Sequence, residues 1–372
     1  MKKPAASNSR VGIVGPSSPP AGGMAAQTEQ LCRLLRGEGI DVDFLQTNKN
    51  YRPRWVAMIV GVRAVFRLFQ YCVEAASFVR RVDVIHLMSN SGWSWQLFSA
   101  PVIWLAYMAN TPVIVNYRGG EANDYLSRSV RWVRPTLRKA SALVVPSRFL
   151  QQVFSEFGFK SIVVPNIIDN NRFFPSEKNK EGNRPIHIIV VRNLEKIYDI
   201  ELAIRAYADV RTECPDCRLT IAGSGPMEGE LKRLVDELKL GKWITFTGRI
   251  DRDQVANLYR SADVMVNSSK IDNMPNSLLE AMASGVAIVS TDAGGIPWMV
   301  EHNKTALLTP VGDVDALASA LKRVTVDSDL RERLCAKGLE EAKNYCWHEV
   351  KNQWIHLYRD LSGAGLSNVV TQ

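Results

Sequence analysis

Residues 267–295, NSSKIDNMPNSLLEAMASGVAIVSTDAGG, decide the fold because they place a loop, a helix and a strand in direct succession. Pro275 suits a first helical position, and Asp272 and Asn273 precede it, where short polar side chains satisfy unpaired helix amides. LLEAMA contains strong helix formers, and Gly285 is a natural helix stop. VAIVST then predicts a short buried strand. The stretch therefore predicts one turn-helix-strand unit of an α/β domain.

Two carboxylates, Asp272 and Glu280, lie eight residues apart in this unit. The start of a helix binds anions, so the amides of Asn276 and Ser277 are candidate contacts for a nucleotide phosphate. Glu280 would then accept hydrogen bonds from both ribose hydroxyls. An ordinary capped helix with one polar residue facing solvent is the alternative reading of this spacing.

These residues resemble the signature of the retaining glycosyltransferases of the GT-B fold, in the large family 4 group. That signature has two acidic residues separated by seven others and followed by a small-residue helix end. Asp272 stands where the family usually has Glu. The residues from Gly294 and Gly295 to Val300 are similar to the GG-x-P-x-x-V run of the family.

The resemblance implies two Rossmann-like, doubly wound α/β domains that face a cleft, with a C-terminal helix returning to the first domain. A length of 372 residues also suggests two domains. We expect an acceptor-side domain at 1–176, a linker at 177–184 and a nucleotide-sugar-binding domain at 185–345. The C-terminal helix and tail occupy 346–372. The polar run EKNKEGNR marks the linker.

The resemblance also implies a donor site, in which the family usually has an Arg and, five residues later, a Lys on the diphosphate. The following helix places Asn193 and Tyr198 at those two positions, so Arg192 and Lys196 are expected to supply the charge from slightly earlier positions. The expected donor-binding residues are Gly22, Gly23, Arg192, Lys196, Gly223, Gly225, Arg249, Asn273, Met274, Asn276, Ser277 and Glu280.

Asp272 and Arg118 are the candidates for catalysis. Asp272 holds sugar hydroxyls by resemblance, so no nucleophile is assigned. Arg118 follows the strand PVIVNY, at the carboxyl end where open α/β sheets bind ligands. Family relatives commonly have His here, whereas Arg is expected to bind a phosphate or a carboxylated acceptor through its planar fork. A structural role for this loop is the alternative.

Positive charge is concentrated in the first half of the chain. Residues 1–180 carry 23 Lys and Arg against 11 Asp and Glu, whereas residues 181–372 carry 23 against 27. Nucleic-acid binding is disfavoured because no basic recognition helix, stacking-aromatic strand or zinc-finger spacing is present. An anionic membrane surface fits this charge better.

Residues 52–81 form a long apolar and basic stretch. Arg63, Arg67 and Glu74 interrupt it, and each Arg near a bilayer centre costs about 2.5 to 3.5 kcal/mol, so the stretch does not span. It predicts an amphipathic helix lying on an anionic membrane. A crossover helix half buried on the sheet is the alternative. The uncharged residues 87–117 are broken by prolines and predict strand, helix and strand.

Cysteine usage and the start of the chain favour a reducing cytoplasm over export, and the basic stretch at 52–81 would place the protein peripherally on the inner membrane. Six Cys lack a framework spacing and no secretory signal is present. Cys214 and Cys217 form a lone CxxC, expected to be a connector rather than a zinc or redox site. We expect no cofactor, because the nucleotide sugar is a substrate. We expect no metal either, because no Asp-x-Asp pair lies on a donor loop.

The resemblance thus implies a retaining, metal-independent hexosyltransferase. We expect its donor to be a nucleoside diphosphate sugar and its acceptor to be a saccharide or a lipid-linked molecule in bacterial surface polysaccharide synthesis. Two alternatives stay open. One is a catalytically silent, membrane-associated nucleotide-sugar-binding protein, and the other is a non-hydrolysing nucleotide-sugar epimerase, which needs acid and base groups such as His86 near a strand end.

Overall fold

A computed structural model describes residues 9–18, 22–49, 62–176 and 184–363. The chain divides into two compact units, the first comprising Met1–Ile167 with Val350–Gln372 and the second comprising Ile168–Glu349. The division precedes the predicted linker at 177–184, of which residues 177–183 lie outside the described part. Ile168 already belongs to the second unit because its amide donates to Tyr345 O at 2.9 Å and its side chain joins that core.

The first unit is built on six parallel strands in the order β2-β1-β3-β4-β5-β6. Its strands are β1 (Val11–Gly15), β2 (Val42–Gln46), β3 (Val84–Ser89), β4 (Val113–Tyr117), β5 (Ala142–Val145) and β6 (Ile162–Val163). Its first five helices are α1 (Gly23–Gly37), α2 (Val62–Phe78), α3 (Ala100–Ala109), α4 (Ala122–Leu137) and α5 (Arg148–Glu156). The central strands are buried throughout, as expected of a parallel sheet covered on both faces.

Two helices of this unit bear on predictions from the sequence. The run PPAGGMAAQTEQL predicts a glycine-rich turn and then a helix from Thr28, whereas α1 begins at Gly23. The stretch at 52–81 contains α2, whose first residue is Val62. Residues 52–61 lie outside the described part of the chain. α2 connects β2 to β3 and buries Tyr71, Ala75 and Phe78, which is the crossover arrangement.

The second unit repeats this architecture with six parallel strands in the order β12-β11-β10-β7-β8-β9. Its strands are β7 (His187–Val191), β8 (Arg218–Ala222), β9 (Ile244–Gly248), β10 (Val264–Asn267), β11 (Ala287–Thr291) and β12 (Leu307–Thr309). Its helices are α6 (Ile200–Val210), α7 (Glu228–Glu237), α8 (Arg252–Ser261), α9 (Asn276–Ala283), α10 (Val314–Val326) and α11 (Ser328–Ala342). Two doubly wound sheets confirm the predicted α/β class.

The last helix, α12 (Trp347–Gly363), returns to the first unit as predicted. Trp354 and Tyr358 are buried there, and the Trp354 ring lies 4.5 Å from the ring of His86 in β3. Within the described residues, no helix has the length and apolar content needed to cross a bilayer.

Candidate functional site

The loop before α9 differs from the prediction in how the helix is capped. α9 begins at Asn276, and Pro275 precedes it in an extended conformation without a side-chain cap. Asp272 lies farther back, where its Oδ1 accepts a hydrogen bond from Asn273 N at 3.0 Å. The expectation that Asp272 caps this helix is therefore wrong, because its carboxylate is engaged before the helix begins.

Arg192 and Asp272 form an ion pair at the edge of the second sheet. Arg192 follows β7, Asp272 follows β10, and these strands are neighbours, so their carboxyl ends bring the two side chains together. Arg192 Nη2 donates to Asp272 Oδ2, and Arg192 Nε donates to Asn267 Oδ1 at 3.0 Å. The side chains are only 12% and 13% exposed. Breaking such a pair is costly, so it fixes the loop that carries Asp272.

Three residues that the sequence reasoning missed complete this cluster. Ser269 Oγ lies 2.9 Å from the Oδ1 of Asn267 and 3.3 Å from the Oδ2 of Asp272. The Arg192 guanidinium lies 5.0 Å from the ring centre of Tyr198. Residues 267–269 form a polar run directly after a buried strand. This run is the signal that could have identified Asn267 and Ser269. We call Arg192, Tyr198, Asn267, Ser269 and Asp272 the charged cluster.

The two cations expected on the donor diphosphate have different surroundings. Arg192 uses two of its donor groups within the charged cluster. Lys196 is exposed on a short 3-10 turn and forms no ion pair with the described residues. Lys270, which was not predicted, contributes a third cation and pairs with Asp199 at 3.1 Å. Lys196 is therefore the better placed of the two predicted cations to meet a ligand.

Gly223 and Gly225 allow two loops of the second unit to pack closely. A Cβ at Gly223 would lie 1.8 Å from Arg192 O, and the residue has φ +152°. A Cβ at Gly225 would lie 2.4 Å from Leu194 O. Both glycines remain candidates for contact with the donor. In this structure they let the loop that carries Arg192 lie against the end of β8.

Glu280 lies in α9 and is partly buried. Burial raises the pKa of its carboxyl to about 7, although the side chains of Arg252, Tyr259 and Arg192 act in the opposite direction. The Tyr259 hydroxyl donates its hydrogen bond to the backbone carbonyl of Ser277 at 3.0 Å. A carboxyl whose pKa lies near 7 is easily shifted to its ionised form by a ligand that donates hydrogen bonds to it.

The remaining predicted donor residues surround this helix or lie at the end of β9. Asn273 and Met274 are buried in the loop before α9, whereas Asn276 is partly exposed and Ser277 is buried in its first turn. Arg249 is exposed directly after β9.

No group of three or more His, Cys, Asp or Glu side chains in the described residues could hold a metal ion. Cys214 and Cys217 are free thiols, and burial raises the pKa of Cys217 to about 12. A thiol with so high a pKa is a poor nucleophile and a poor metal ligand at neutral pH. The CxxC therefore serves as the predicted connector, between α6 and β8.

In the first unit, Gly22 and Gly23 lie at the N-terminus of α1. One turn later, Gln27 is buried and makes two hydrogen bonds to the backbone of Ile167. Its Nε2 donates to the carbonyl at 2.8 Å, and its Oε1 accepts from the amide at 3.0 Å. This pairing fixes the start of α1 against the segment that directly precedes the second unit.

Arg118 directly follows β4, and its amide donates to the carbonyl of Ser89 at the end of β3. Its Nη1 donates to Oδ1 of Asn166, which is buried. Its Nε is shielded from solvent and has no hydrogen-bond partner. Burial lowers the pKa of Arg118 to about 10. The predicted catalytic candidates Arg118 and Asp272 therefore belong to different units.

His86 is fully buried in β3 between Tyr358 and Asn116. Its Nδ1 lies 2.7 Å from the Tyr358 hydroxyl, and its Nε2 lies 2.8 Å from Asn116 Nδ2. Burial lowers its pKa to about 3. His86 is thus a neutral structural residue at physiological pH and is poorly suited to exchange protons with a substrate.

Two family models match most of the chain. A model described as "Glycosyl transferase 4-like domain" matches residues 22–166, and one described as "Glycosyl transferases group 1" matches residues 171–340. Together these matches cover the first sheet except β1 and the whole second sheet, including the charged cluster and α9.

Curated relatives are similar at low identity. D-inositol 3-phosphate glycosyltransferase of Corynebacterium jeikeium is 24% identical over 94% of both chains. N-acetyl-alpha-D-glucosaminyl L-malate synthase of Bacillus anthracis is 26% identical over 60% of this chain and 57% of its own. A putative colanic acid biosynthesis glycosyltransferase of Salmonella typhimurium is 30% identical over 52% of this chain and 50% of its own. The match thus spans about half the length of the last two relatives.

Solved structures share the fold. Sucrose-phosphate synthase of Thermosynechococcus elongatus has a TM-score of 0.78 at 20% identity, covering 95% of this chain and 99% of that chain. HepE of Anabaena, solved with UDP and glucose, has a TM-score of 0.72 at 16% identity, covering 94% of this chain and 99% of that chain. The fold, the two family models and the position of the acidic signature lead to one conclusion: the chain belongs to the group 1 glycosyltransferases.

Proposed function

We propose that the protein transfers a hexose-type sugar from a nucleoside diphosphate donor to a saccharide or lipid-linked acceptor. Glu280 carries the proposal, because it is a partly buried carboxyl with a pKa near 7 in the helix that follows the charged cluster. Two ribose hydroxyls would donate to this carboxylate and favour its ionised form. HepE, which was solved with UDP and glucose, shares the fold and supports a nucleotide donor.

The chemistry assigned to the site is the stabilisation of a departing diphosphate. The amides of Asn276 and Ser277, at the positive end of α9, face the developing negative charge, and Lys196 adds a mobile cation. Asp272, held by Arg192, accepts sugar hydroxyls with its remaining lone pairs. We further propose that transfer retains the anomeric configuration and needs no metal.

Synthesis of a bacterial surface polysaccharide is the proposed setting. The similarity to the colanic acid biosynthesis glycosyltransferase supports it. Other relatives are named for malate and inositol 3-phosphate, so the acceptor is assigned by class only.

A screen of UDP-, GDP- and ADP-hexoses tests the donor assignment. We expect one donor to raise the melting temperature and to release its nucleoside diphosphate when an acceptor is supplied. Glu280→Gln should weaken the binding of that donor about tenfold, because roughly one charge-assisted hydrogen bond is lost. Glu340→Gln, a change at an exposed carboxylate of α11, is the control. Equal effects of the two changes would remove Glu280 from the site.

The stereochemistry and metal requirement are tested with the same donor. Proton NMR of the first product formed should show the anomeric configuration of the donor, and chelation with EDTA should leave the rate unchanged. An inverted product would end the retaining proposal, and a rate restored only by a divalent cation would end metal independence.

A second candidate is a nucleotide-sugar-binding protein without transferase activity. One observation favours it: Arg192 is paired with Asp272 and is not free to neutralise a diphosphate. Donor binding without release of nucleoside diphosphate, across a panel of acceptors, would support this candidate. An epimerase is disfavoured because His86, the imidazole that it would need, is buried and neutral.

We propose that the first unit also contacts an anionic membrane, through a surface formed by Trp104, Tyr107, Met108 and Trp132. All four side chains are exposed, Trp132 by 78%. Trp104 donates to Thr136 Oγ1 at 3.0 Å, and Thr136 lies one helical turn from Trp132, so α3 and α4 present one continuous face. Tryptophan and tyrosine favour the boundary between lipid and water.

Basic residues surround this aromatic surface. Lys139 Nζ lies 4.0 Å from the ring centre of Tyr107, and Arg128, Arg131 and Arg138 are exposed on or next to α4. Vesicle flotation tests the contact. Binding to phosphatidylglycerol vesicles should exceed binding to phosphatidylcholine and should fall in Trp132→Ser, whereas Trp298→Ser, a change at an exposed tryptophan of the second unit, should bind as before. Equal loss in both variants would contradict the assignment.

A further inference from the structure

Trp298 is exposed in the short turn that follows β11. Its side chain is 53% exposed, whereas those of Ile296, Met299 and Val300 are at most 5% exposed and join the core. The turn therefore buries three apolar side chains and presents the largest one to solvent. Single exposed apolar residues are common on protein surfaces, so the position of this indole decides what it can bind.

The turn that carries Trp298 is held against the loop that carries Asp272. Gly295 N donates to Asp272 O at 3.0 Å, and Trp298 N donates to Gly295 O at 3.1 Å. A Cβ at Gly295 would lie 1.9 Å from Asn273 O, so the two backbones are in direct contact. The backbone of Trp298 is thereby fixed one turn away from the loop of the charged cluster.

Asp292 adds a carboxylate to the same edge of the second sheet. It directly follows β11, is exposed, and forms no ion pair among the residues that the structure describes. β11 pairs with β10, and the loop after β10 contains Asp272. Carboxylates accept hydrogen bonds from sugar hydroxyls, and the negative face of an indole attracts the C–H groups on the apolar face of a sugar ring. The loops after these two strands therefore supply both kinds of group that bind a sugar.

The order of the strands gives these groups a position relative to the donor. Lys196 follows β7 and is proposed to contact the diphosphate, whereas Asp272 follows β10 and is proposed to contact the donor sugar. β11 is the next strand, on the side of β10 away from β7. A sugar ring bound by Trp298 and Asp292 thus lies beyond the donor sugar, where the molecule that receives it must be.

We propose that Trp298 and Asp292 bind a sugar ring of the acceptor, so that the acceptor is a saccharide. The acceptor part of this inference rests on the proposed glycosyl transfer, whereas the sugar site does not. Charge favours a neutral sugar here, because the Asp292 carboxylate repels an anionic lipid and accepts from hydroxyls. The aromatic surface around Trp132 is instead surrounded by basic residues.

NMR of the tryptophan indole N–H groups tests the sugar site directly. The signal lost in Trp298→Phe identifies Trp298 Nε1–H. Methyl glycosides of hexoses, deoxyhexoses and N-acetylhexosamines are titrated into the full chain with UDP, GDP or ADP present. At least one glycoside should shift this signal by more than glycerol does at equal concentration. If none does, the proposal is overturned, and an undiminished shift in Asp292→Asn would overturn the assignment of that carboxylate.

Kinetics test whether the bound ring belongs to the acceptor. With the glycoside that accepts best, Trp298→Ala should raise the acceptor KM about tenfold and change kcat less, and Trp298→Phe should restore most of the loss. Val326→Ala, a change at a residue of α10 that is 64% exposed, is the control. All three variants should melt near the wild-type temperature because the altered side chains are exposed. An acceptor KM unchanged in Trp298→Ala would contradict the proposal.

Donor binding separates an acceptor ring from the donor sugar. Trp298→Ala should bind the nucleotide sugar and its nucleoside diphosphate as tightly as the wild type does. A loss for the nucleotide sugar alone would assign the indole to the donor and overturn the acceptor assignment. If a glycoside shifts the indole signal but no sugar is transferred, the sugar site stands and the proposed function fails. If Trp298→Ala transfers sugar as the wild type does, the function stands and the sugar site fails.

Discussion

At the scale of single residues, the chemistry proposed for the second unit depends on two carboxyl groups in different surroundings. Asp272 is paired with Arg192, whereas burial raises the pKa of Glu280 to about 7. The sequence identified both acids from their spacing. It did not identify the pairing, because Arg192 and Asp272 are 80 residues apart and meet only once β7 and β10 are neighbours.

Glu280→Gln should change how stability depends on pH. The folded state raises the pKa of this carboxyl from its ordinary value of 4.5 to about 7, so the wild type loses stability as pH rises through that interval. Above about pH 7 the variant should gain up to roughly 3 kcal/mol relative to the wild type, and below about pH 4 it should gain nothing. Urea unfolding at several pH values measures the difference. If the free energies of unfolding of the two proteins changed with pH in the same way, the raised pKa would be contradicted.

Donor binding should release a proton from the same group. Ribose hydroxyls that donate to Glu280 favour its ionised form, so the pKa falls on binding and affinity weakens as pH drops below about 7. Calorimetry in buffers of different ionisation enthalpy counts the released protons. Glu280→Gln should remove that release, and the absence of any release in the wild type would argue against ribose contact.

The Arg192 and Asp272 pair should behave as one unit. Removing either charge alone, in Arg192→Met or Asp272→Asn, should cost about 3 kcal/mol because it leaves the other charge nearly buried. The double variant should be more stable than the sum of the two losses predicts, by roughly 1 kcal/mol or more. Chemical unfolding of the four proteins completes the cycle. Simple additivity would mean that solvent already screens the pair.

At the scale of elements, the sequence was most informative where a proline or glycine marks the end of a helix. Pro275 and Gly285 bracket α9, which the structure places at Asn276–Ala283. The start of α1 was misplaced because Gln27 holds its first turns to Ile167, a contact 140 residues distant that no local pattern reports. The π-helical turn Trp95–Ser99 before α3 was likewise not predicted.

Close packing of the loop before α9 makes Gly295 sensitive to substitution. A Cβ there would lie 1.9 Å from Asn273 O, so Gly295→Ala must displace the loop that carries Asp272. We expect a loss of about 2 kcal/mol or more in stability together with weaker donor binding. Gly229→Ala in α7, where nothing lies within 4 Å, should instead be neutral or stabilising. Thermal unfolding compares the two, and equal effects would mean that the loop yields freely.

The helix α12 should contribute strongly to the stability of the first unit. Trp354 is 1% exposed and packs on His86, so Trp354→Ala should cost about 3 to 5 kcal/mol. Trp132→Ala, at a tryptophan that is 78% exposed, should change stability by less than about 0.5 kcal/mol. Hydrogen exchange of β3 amides reports the local effect. Protection unchanged in Trp354→Ala would show that α12 is dispensable to this sheet.

At the scale of the whole molecule, two repeats of one architecture were predictable from the rhythm of strands and helices. The point at which the chain changes units was not. A polar run suggested 177–184, but the core of the second unit already begins at Ile168, where a hydrophobic residue rather than a linker makes the crossing. A polar composition identifies a stretch that resembles a linker. The boundary of a domain is set by which hydrophobic core each side chain packs into.

The division of the chain has a consequence for synthesis on the ribosome. The second unit is one uninterrupted segment, Ile168–Glu349, whereas the first lacks α12 until residues 347–363 have been made. The second unit can therefore complete its native contacts while the first still exposes the apolar surface on which Trp354 packs. Until α12 has been made, the first sheet is the part of the nascent chain most in need of a chaperone.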